Sequence, residues 1–177
     1  MHWDRKIEGR LGQALLSIHA IKGVEVGPAF ENARRPGTKV HDEIFLEDQR
    51  VTRRTNRAGG TEGGVTTGQP LLLRAAIKPI STTLNPLRTV DLASGKPSPT
   101  SYERSDFCAV PRAAVVGEAM VAFVLADEML RKLGGDSLDE MKPRFTALRS
   151  ASLSDLPMSA KEQVFWPDTS ADSSNQP

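Results

Sequence analysis

The sequence predicts an α+β fold, and three observations carry that expectation. Apolar residues near the N-terminus recur at helical spacing. The middle of the chain consists of short strand-like runs broken by Gly, Pro and Asp. Residues 113–133 then form one long apolar helical stretch. Strands gathered in one region with helices on either side read as α+β rather than as alternating βα units. From Ala119 to Leu125 the long helix is apolar on nearly every side, so it should lie in a middle layer, covered on more than one side.

The elements follow in order. Ile7, Leu11, Ala14, Leu15 and Ile18 share one helical face. Asp4 can cap that helix, and Lys22-Gly23 can end it with Gly23 in the left-handed turn. Residues 24–26 read as a short extended segment, and Pro28 opens a helical turn through Ala33, stopped by Pro36-Gly37. Residues 41–46 and 51–55 look like a hairpin around Glu47-Asp48-Gln49. Residues 71–77 form a strong strand pattern; 89–92 and 100–103 are weaker ones, joined by a turn at Ser94-Gly95-Lys96-Pro97. Gly134-Gly135 ends the long helix. Asp136-Ser137 can cap another over residues 138–150, which Pro143 would kink unless it falls near the first turn. Residues 1–150 form one domain region. Residues 151–177, rich in Ser, Asp and Pro, read as a disordered tail.

Composition narrows the function. The chain has 177 residues and a net charge of +1, so no global field attracts nucleic acid or an anionic membrane. Its single cysteine, Cys108, excludes an internal disulfide and any multi-cysteine metal site, and fits a cytoplasmic protein. The first residues, His2-Trp3-Asp4-Arg5-Lys6, are charged where an export signal would be apolar. The long helix carries Glu118, Asp127, Glu128, Arg131 and Lys132, too many charges for a membrane span. His2, His19 and His41 are too scattered to imply a metal site.

Four stretches could carry chemistry. Arg50, Arg53, Arg54 and Arg57 cluster within eight residues; in an extended segment Arg53 and Arg57 share a face and Arg54 points the other way. They read as a charged edge strand or as a clamp for phosphate or carboxylate, whose oxygens match guanidinium forks. Gly59, Gly60, Gly63, Gly64 and Gly68 follow. Such glycines form either a flexible loop or a backbone nest for an anion. The phosphate-loop lysine is absent. Lys78, Pro79, Ile80, Ser81, Thr82 and Thr83 close the strong strand as an ordinary exit or as a polar grip. Asp106, between Arg104 and Arg112, is a helix-entry brace or an ionised proton acceptor.

These runs together resemble chorismate synthase. The matching residues are Ser17-Ile18-His19-Ala20-Ile21-Lys22-Gly23, Arg53-Arg54-Thr55-Asn56-Arg57-Ala58-Gly59-Gly60, Glu62-Gly63-Gly64, Lys78-Pro79-Ile80-Ser81-Thr82 and Arg104-Ser105-Asp106-Phe107-Cys108-Ala109-Val110-Pro111-Arg112. The likeness covers residues 2–133 and corresponds to the C-terminal half of the family's chain. It implies a β-α-β sandwich with antiparallel sheets around a helical layer, assembled as a homotetramer. It implies a phosphate lyase of aromatic amino acid biosynthesis, which converts 5-enolpyruvylshikimate 3-phosphate to chorismate by 1,4-elimination. It implies reduced FMN, which lends electron density transiently, with NADPH as a reductant for the flavin.

Carried over by motif, FMN contacts fall on His19, Ala20, Gly63, Lys78, Pro79, Ile80, Ser81, Thr82 and Arg104. Asp106 matches an aspartate beside the flavin implicated in proton removal, and Arg53 and Arg57 are candidates for substrate. His19 departs from the Asn, Gln or Pro expected before that alanine; Arg57 and Phe107 also differ from the commoner residues. The family's missing N-terminal half carries the histidine pair assigned to acid–base work, so the resemblance implies a fragment, a truncated reading frame or half of a split gene. The competing readings are a non-catalytic remnant that binds FMN or phosphate, and an interaction protein acting through its basic loop.

Overall fold

The computed structural model describes residues 2–48, 50–103 and 108–149, together with Ser159 and Lys161. The disordered tail expected over residues 151–177, apart from those two positions, lies outside the described residues. The expected α+β class is what the described elements form: antiparallel strand pairs with helices packed against them.

Helix α1 (Ile7–Leu16) follows a 3-10 turn at Trp3–Arg5. Its buried residues, Ile7, Leu11, Ala14 and Leu15, are the face the spacing predicts, and Leu11 is fully enclosed. Asp4 does not cap it. Lys6 occupies the cap position without a side-chain bond, and the Ile7 N–H donates instead to the Gly64 carbonyl at 3.0 Å. The helix also ends earlier than expected. Ser17 closes it, bonding the Ala14 carbonyl through its hydroxyl at 2.6 Å, and the left-handed residue is Ala20 (φ 66°). Lys22 and Gly23 already belong to strand β1 (Ile21–Val26).

A short helix α2 (Ala29–Asn32) follows. Strands β2 (Ile44–Glu47) and β3 (Arg50–Arg53) form the expected hairpin. Strands β4 (Thr61–Glu62) and β5 (Val65–Thr66) make a second one inside the glycine-rich stretch. Strand β6 (Leu73–Ile77) returns to pair antiparallel with β1, from Val26↔Leu73 to Ile21↔Ile77. Strands β7 (Arg88–Asp91) and β8 (Lys96–Pro99) form a third hairpin. Its second strand begins at Lys96, four residues before the expected 100, because Asp91 organises the turn first: its carboxylate accepts from the Ala93 N–H at 2.9 Å and the Ser94 hydroxyl at 2.7 Å.

Helix α3 (Val110–Leu133) lies against α1. Ile7, Leu11, Ala14 and Val124 form the core cluster, with Leu71, Leu73, Met120 and Val121 packed around it. Arg10 joins the two helices by ion pairs to Asp127, at 2.6 Å, and to Glu128. Among the described residues only one side of α3 is covered: Val115 is 67% exposed and Phe123 74%. The cover expected on more than one side is therefore not supplied by them. Helix α4 (Leu138–Arg149) starts as expected, the Ser137 hydroxyl accepting from the Glu140 N–H at 3.3 Å. Pro143 sits inside its second turn, where it withholds an N–H from the Asp139 carbonyl.

The end of β1 and the glycine-rich stretch meet backbone to backbone. A Cβ on Gly59 (φ 68°) would stand 2.3 Å from the Gly27 nitrogen. Gly59→Ala is expected to cost about 3 kcal/mol or more, combining left-handed strain with a clash against rigid main chain. Gly12 lies in α1, where an added Cβ would meet nothing within 4 Å. It should behave oppositely, Gly12→Ala stabilising by up to about 1 kcal/mol. Thermal unfolding of the two variants checks both signs.

Candidate functional site

The pairing of β1 with β6 gathers one group of candidate residues. At the Ile21↔Ile77 end of the ribbon, the Lys78 N–H donates to the Ala20 carbonyl at 2.7 Å. That bond brings His19 and Ala20 beside the run from Lys78 to Thr82. The Thr82 hydroxyl reaches the Glu103 carbonyl at 3.4 Å, which brings the same corner to the residue preceding Arg104. Arg104 and Asp106 themselves lie outside the described residues. The Lys78 side chain is exposed and forms no ion pair among the described residues. Beside it opens an apolar hollow of about 400 Å³, lined by Ile21, Leu73, Ile77, Val110, Ala114 and Val121.

Gly63 is not part of that corner. It forms the tip of the β4–β5 hairpin with Gly64, both at positive φ, and the hairpin docks on the start of α1 through Gly64. Ala20 follows the opposite end of α1, and ten helical residues span about 15 Å. Within the glycine stretch Gly59 and Gly60 are buried against main chain at Gly27 and Pro70, whereas Gly63 and Gly68 are exposed, with nothing within 4 Å of an added Cβ.

The arginine cluster is divided. Strand β3 ends at Arg53, so Arg53 and Arg57 do not share a strand face. Arg53 pairs with Glu62 at 2.9 Å. Arg54 pairs with Glu47 at 3.1 Å and lies 4.0 Å above the centre of the Phe45 ring. Arg57 is half-buried, and its guanidinium has no partner among the described residues. It faces, with Arg54, a hollow of about 400 Å³ that Lys39 and His41 also line.

Asp42 is the residue that sequence reasoning missed. It is buried and its carboxylate accepts from the Arg57 N–H at 2.8 Å, the Ala58 N–H at 2.9 Å and the Thr55 hydroxyl. Burial pushes its pKa up, but the Arg57 and Ala58 amides, the Thr55 hydroxyl and the nearby Arg53 charge outweigh that. The carboxyl is held below its ordinary value of 3.8. The available signal was an aspartate just ahead of a hairpin whose exit, Thr55-Asn56-Arg57-Ala58, presents amides that need an acceptor. Among the described residues no group of His, Cys, Asp and Glu could hold a metal ion. Among the described residues no helix is long and apolar enough to cross a membrane. Cys108 is exposed, not the buried apolar residue that its type favours.

Comparison with known proteins places these residues in context. The family model described as chorismate synthase matches residues 1–130. The chorismate synthase of Aquifex aeolicus is 55% identical over 146 residues, covering 82% of this chain and 37% of that protein. The enzyme of that name from Thermus thermophilus is 53% identical over 150 residues, covering 84% of this chain and 39% of that protein. A solved structure titled as the crystal structure of chorismate synthase superposes with a TM-score of 0.68 at 47% identity, covering 84% of this chain and 37% of its own. The chain thus spans less than two fifths of the length of these relatives.

Asp42 sets a pH dependence. A carboxyl whose folded pKa is depressed stabilises the fold fully above its unfolded value, and that contribution is lost as pH falls through the folded value. Unfolding free energy should therefore drop below about pH 4. Asp42→Ala is expected to cost roughly 3 kcal/mol at neutral pH, since two amides lose a charged acceptor. Denaturant titrations at several pH values check both the loss and the flattening of the acid limb in the variant.

Proposed function

Because the chain belongs to the chorismate synthase family, we propose that it contributes the flavin grip and part of the substrate site of a phosphate lyase. The reaction is the 1,4-elimination of phosphate from 5-enolpyruvylshikimate 3-phosphate, giving chorismate. The observation that carries this reading is the bond from the Lys78 amide to the Ala20 carbonyl. It holds two separate motif matches in one corner, beside an ammonium without an ion pair among the described residues and an apolar hollow. That combination suits a ligand with an anionic end and a flat apolar ring, as FMN has.

On this reading Lys78 neutralises negative charge on the cofactor, while Ala20, Pro79, Ile80, Ser81 and Thr82 orient it. His19 borders the same corner. Arg104 adds a second cation, and Asp106 accepts the proton that leaves the substrate. Gly63, on the other side of α1, completes the grip only together with groups beyond this corner, which fits assembly as a homo-oligomer. Reduced FMN, when bound, supplies the electron density that eases loss of phosphate, with NADPH as its reductant, in the cytoplasm. Arg53 is committed to Glu62, and Arg57 lies past the other end of the β1–β6 ribbon, so within one chain neither reaches a substrate held beside the Lys78 corner.

Two measurements test this. Anaerobic titration of the chain with reduced FMN, followed by the change in flavin absorbance, should show saturable binding that Lys78→Ala weakens about tenfold, the loss of one charge-assisted contact. Unchanged affinity in the variant would remove Lys78 from the site. The chain by itself should release no phosphate from 5-enolpyruvylshikimate 3-phosphate above background, because acid–base groups of the kind the family places elsewhere contribute ~10²–10⁴-fold. Steady phosphate release would show that its own residues suffice.

A further inference from the structure

We propose that Arg57, together with Lys39, His41 and Arg54, forms a binding site for a phosphate dianion at the end of the β1–β6 ribbon opposite Lys78. The site stands apart from the flavin corner. The ribbon runs from Ile21↔Ile77 to Val26↔Leu73, about 17 Å at the rise of a strand. Arg57 lies past its far end, its carbonyl 2.8 Å from where a Cβ on Gly27 would stand.

The backbone around Arg57 is fixed from every direction. Its N–H and that of Ala58 donate to Asp42, and its carbonyl accepts from the Asn32 side chain at 2.9 Å. The Asn56 side chain donates to the Pro70 carbonyl at 2.8 Å, and the Gly59 N–H closes the turn on the Asn56 carbonyl at 3.2 Å. With the main chain so held, Arg57 stands on the wall of the hollow, and among the described residues nothing takes its five donors. Asp42 forms no ion pair with it among the described residues; its oxygens accept from two backbone amides and the Thr55 hydroxyl.

Three further basic groups line the same hollow of about 400 Å³. Lys39 forms no ion pair among the described residues. Arg54 is paired with Glu47 but keeps donors to spare. His41 supplies ring nitrogens. One carboxylate, Glu43, lines the hollow too, and it forms no ion pair among the described residues. A monocarboxylate ligand needs a single fork; convergent cations from two segments of chain suit a compact anion with three oxygens and two charges.

A ¹⁵N–¹H NMR titration of the whole chain with inorganic phosphate, at constant ionic strength, tests the site. Saturable shifts are expected at amides 38–43 and 54–58. Arg57→Ala and the variant Lys39→Ala, at an exposed position of the 3-10 turn Gly37–Lys39, should each weaken the phosphate affinity read there by about tenfold, and Arg57→Lys should restore part of it. Lys96→Ala, on β8, should leave it unchanged. Glu43→Gln should tighten it about twofold or more by removing a like charge. Shifts confined to residues 78–82, shifts that do not saturate, or an Arg57→Ala chain that is folded and binds equally well would each overturn the proposal. Failure of the flavin reading would leave the shifts at residues 38–43 and 54–58 in place, so the two outcomes are separable.

Discussion

The constraint on which the rest of this structure depends is the contact between the main chains of Gly27 and Gly59. Neither position has room for a Cβ: on Gly27 it would meet the Arg57 carbonyl at 2.8 Å, and on Gly59 the Gly27 nitrogen at 2.3 Å. Because no side chain intervenes, three segments join through backbone bonds alone. The Gly27 N–H donates to the Leu72 carbonyl at 2.8 Å, and the Leu72 N–H to the Gly59 carbonyl at 3.0 Å. The exit of β1, the turn after β3 and the entry to β6 are thereby one unit. From that unit the ribbon register runs outward and sets Lys78 against Ala20 at its other end. The same unit aims Arg57 into its hollow. Side-chain packing tolerates repacking, whereas contacts of main chain with main chain do not, so the geometry of both corners is inherited from two glycines.

The core that supports this unit is small. Among the described residues, half of its buried apolar side chains come from α1, with Ile21, Val124, Leu133 and Met141 making up the rest. Helix α3 brings far more apolar surface than α1 and the β6 region cover. Val115, Val116 and Phe123 are exposed on it, in a helix whose apolar residues surround its axis. An apolar circumference is stable in water only when other elements close around it. The relatives that match are more than twice as long as the region matched, which is consistent with a family in which this helix has more chain to pack against. The ion pairs from Arg10 to Asp127 and Glu128 fix the pitch of α3 on α1, so the uncovered face keeps a defined direction.

Much of this was legible in the sequence. Helical spacing located α1 by its own buried residues, and the Gly134-Gly135 stop located the end of α3. The hairpins at β2–β3 and β7–β8 were marked by their turn residues, although Asp91 started the second turn earlier than Gly95 and Pro97 advertised. What failed were features decided by tertiary partners. Gly23 looked like the helix stop because glycine is the usual left-handed residue. In the fold, Gly23 faces Ala76 across the ribbon, where a Cβ would fit at 3.6 Å, and Ala20 takes the left-handed turn because the Lys78 bond and the start of β1 hold it there. The cap of α1 came from Gly64, far along the chain, and no local rule could find it. Asp42 was invisible for the same reason: its donors lie 13 to 16 residues away.

The arginine cluster shows how little a charge run says before its counter-charges are located. Arg53, Arg54 and Arg57 differ neither in chemistry nor much in position, yet each has a separate fate. Glu62 takes Arg53, and Glu47 with the Phe45 ring takes Arg54. Arg57 is left facing other basic groups, a repulsive arrangement that a free loop would relax by turning the side chain toward water. The loop cannot relax, because Asp42, Asn32 and Gly59 fix its backbone. Asp42 is the pivot of that turn. Its carboxylate accepts from two amides and a hydroxyl and forms no ion pair with the Arg57 guanidinium among the described residues. The carboxylate therefore orders the turn through its backbone and leaves the guanidinium's donors open. A half-buried cation whose backbone is held by such bonds, and whose guanidinium has no counter-ion among the described residues, is poised for an external anion, since the main chain has no ordering left to lose when one arrives and only the side chain's rotamers must settle.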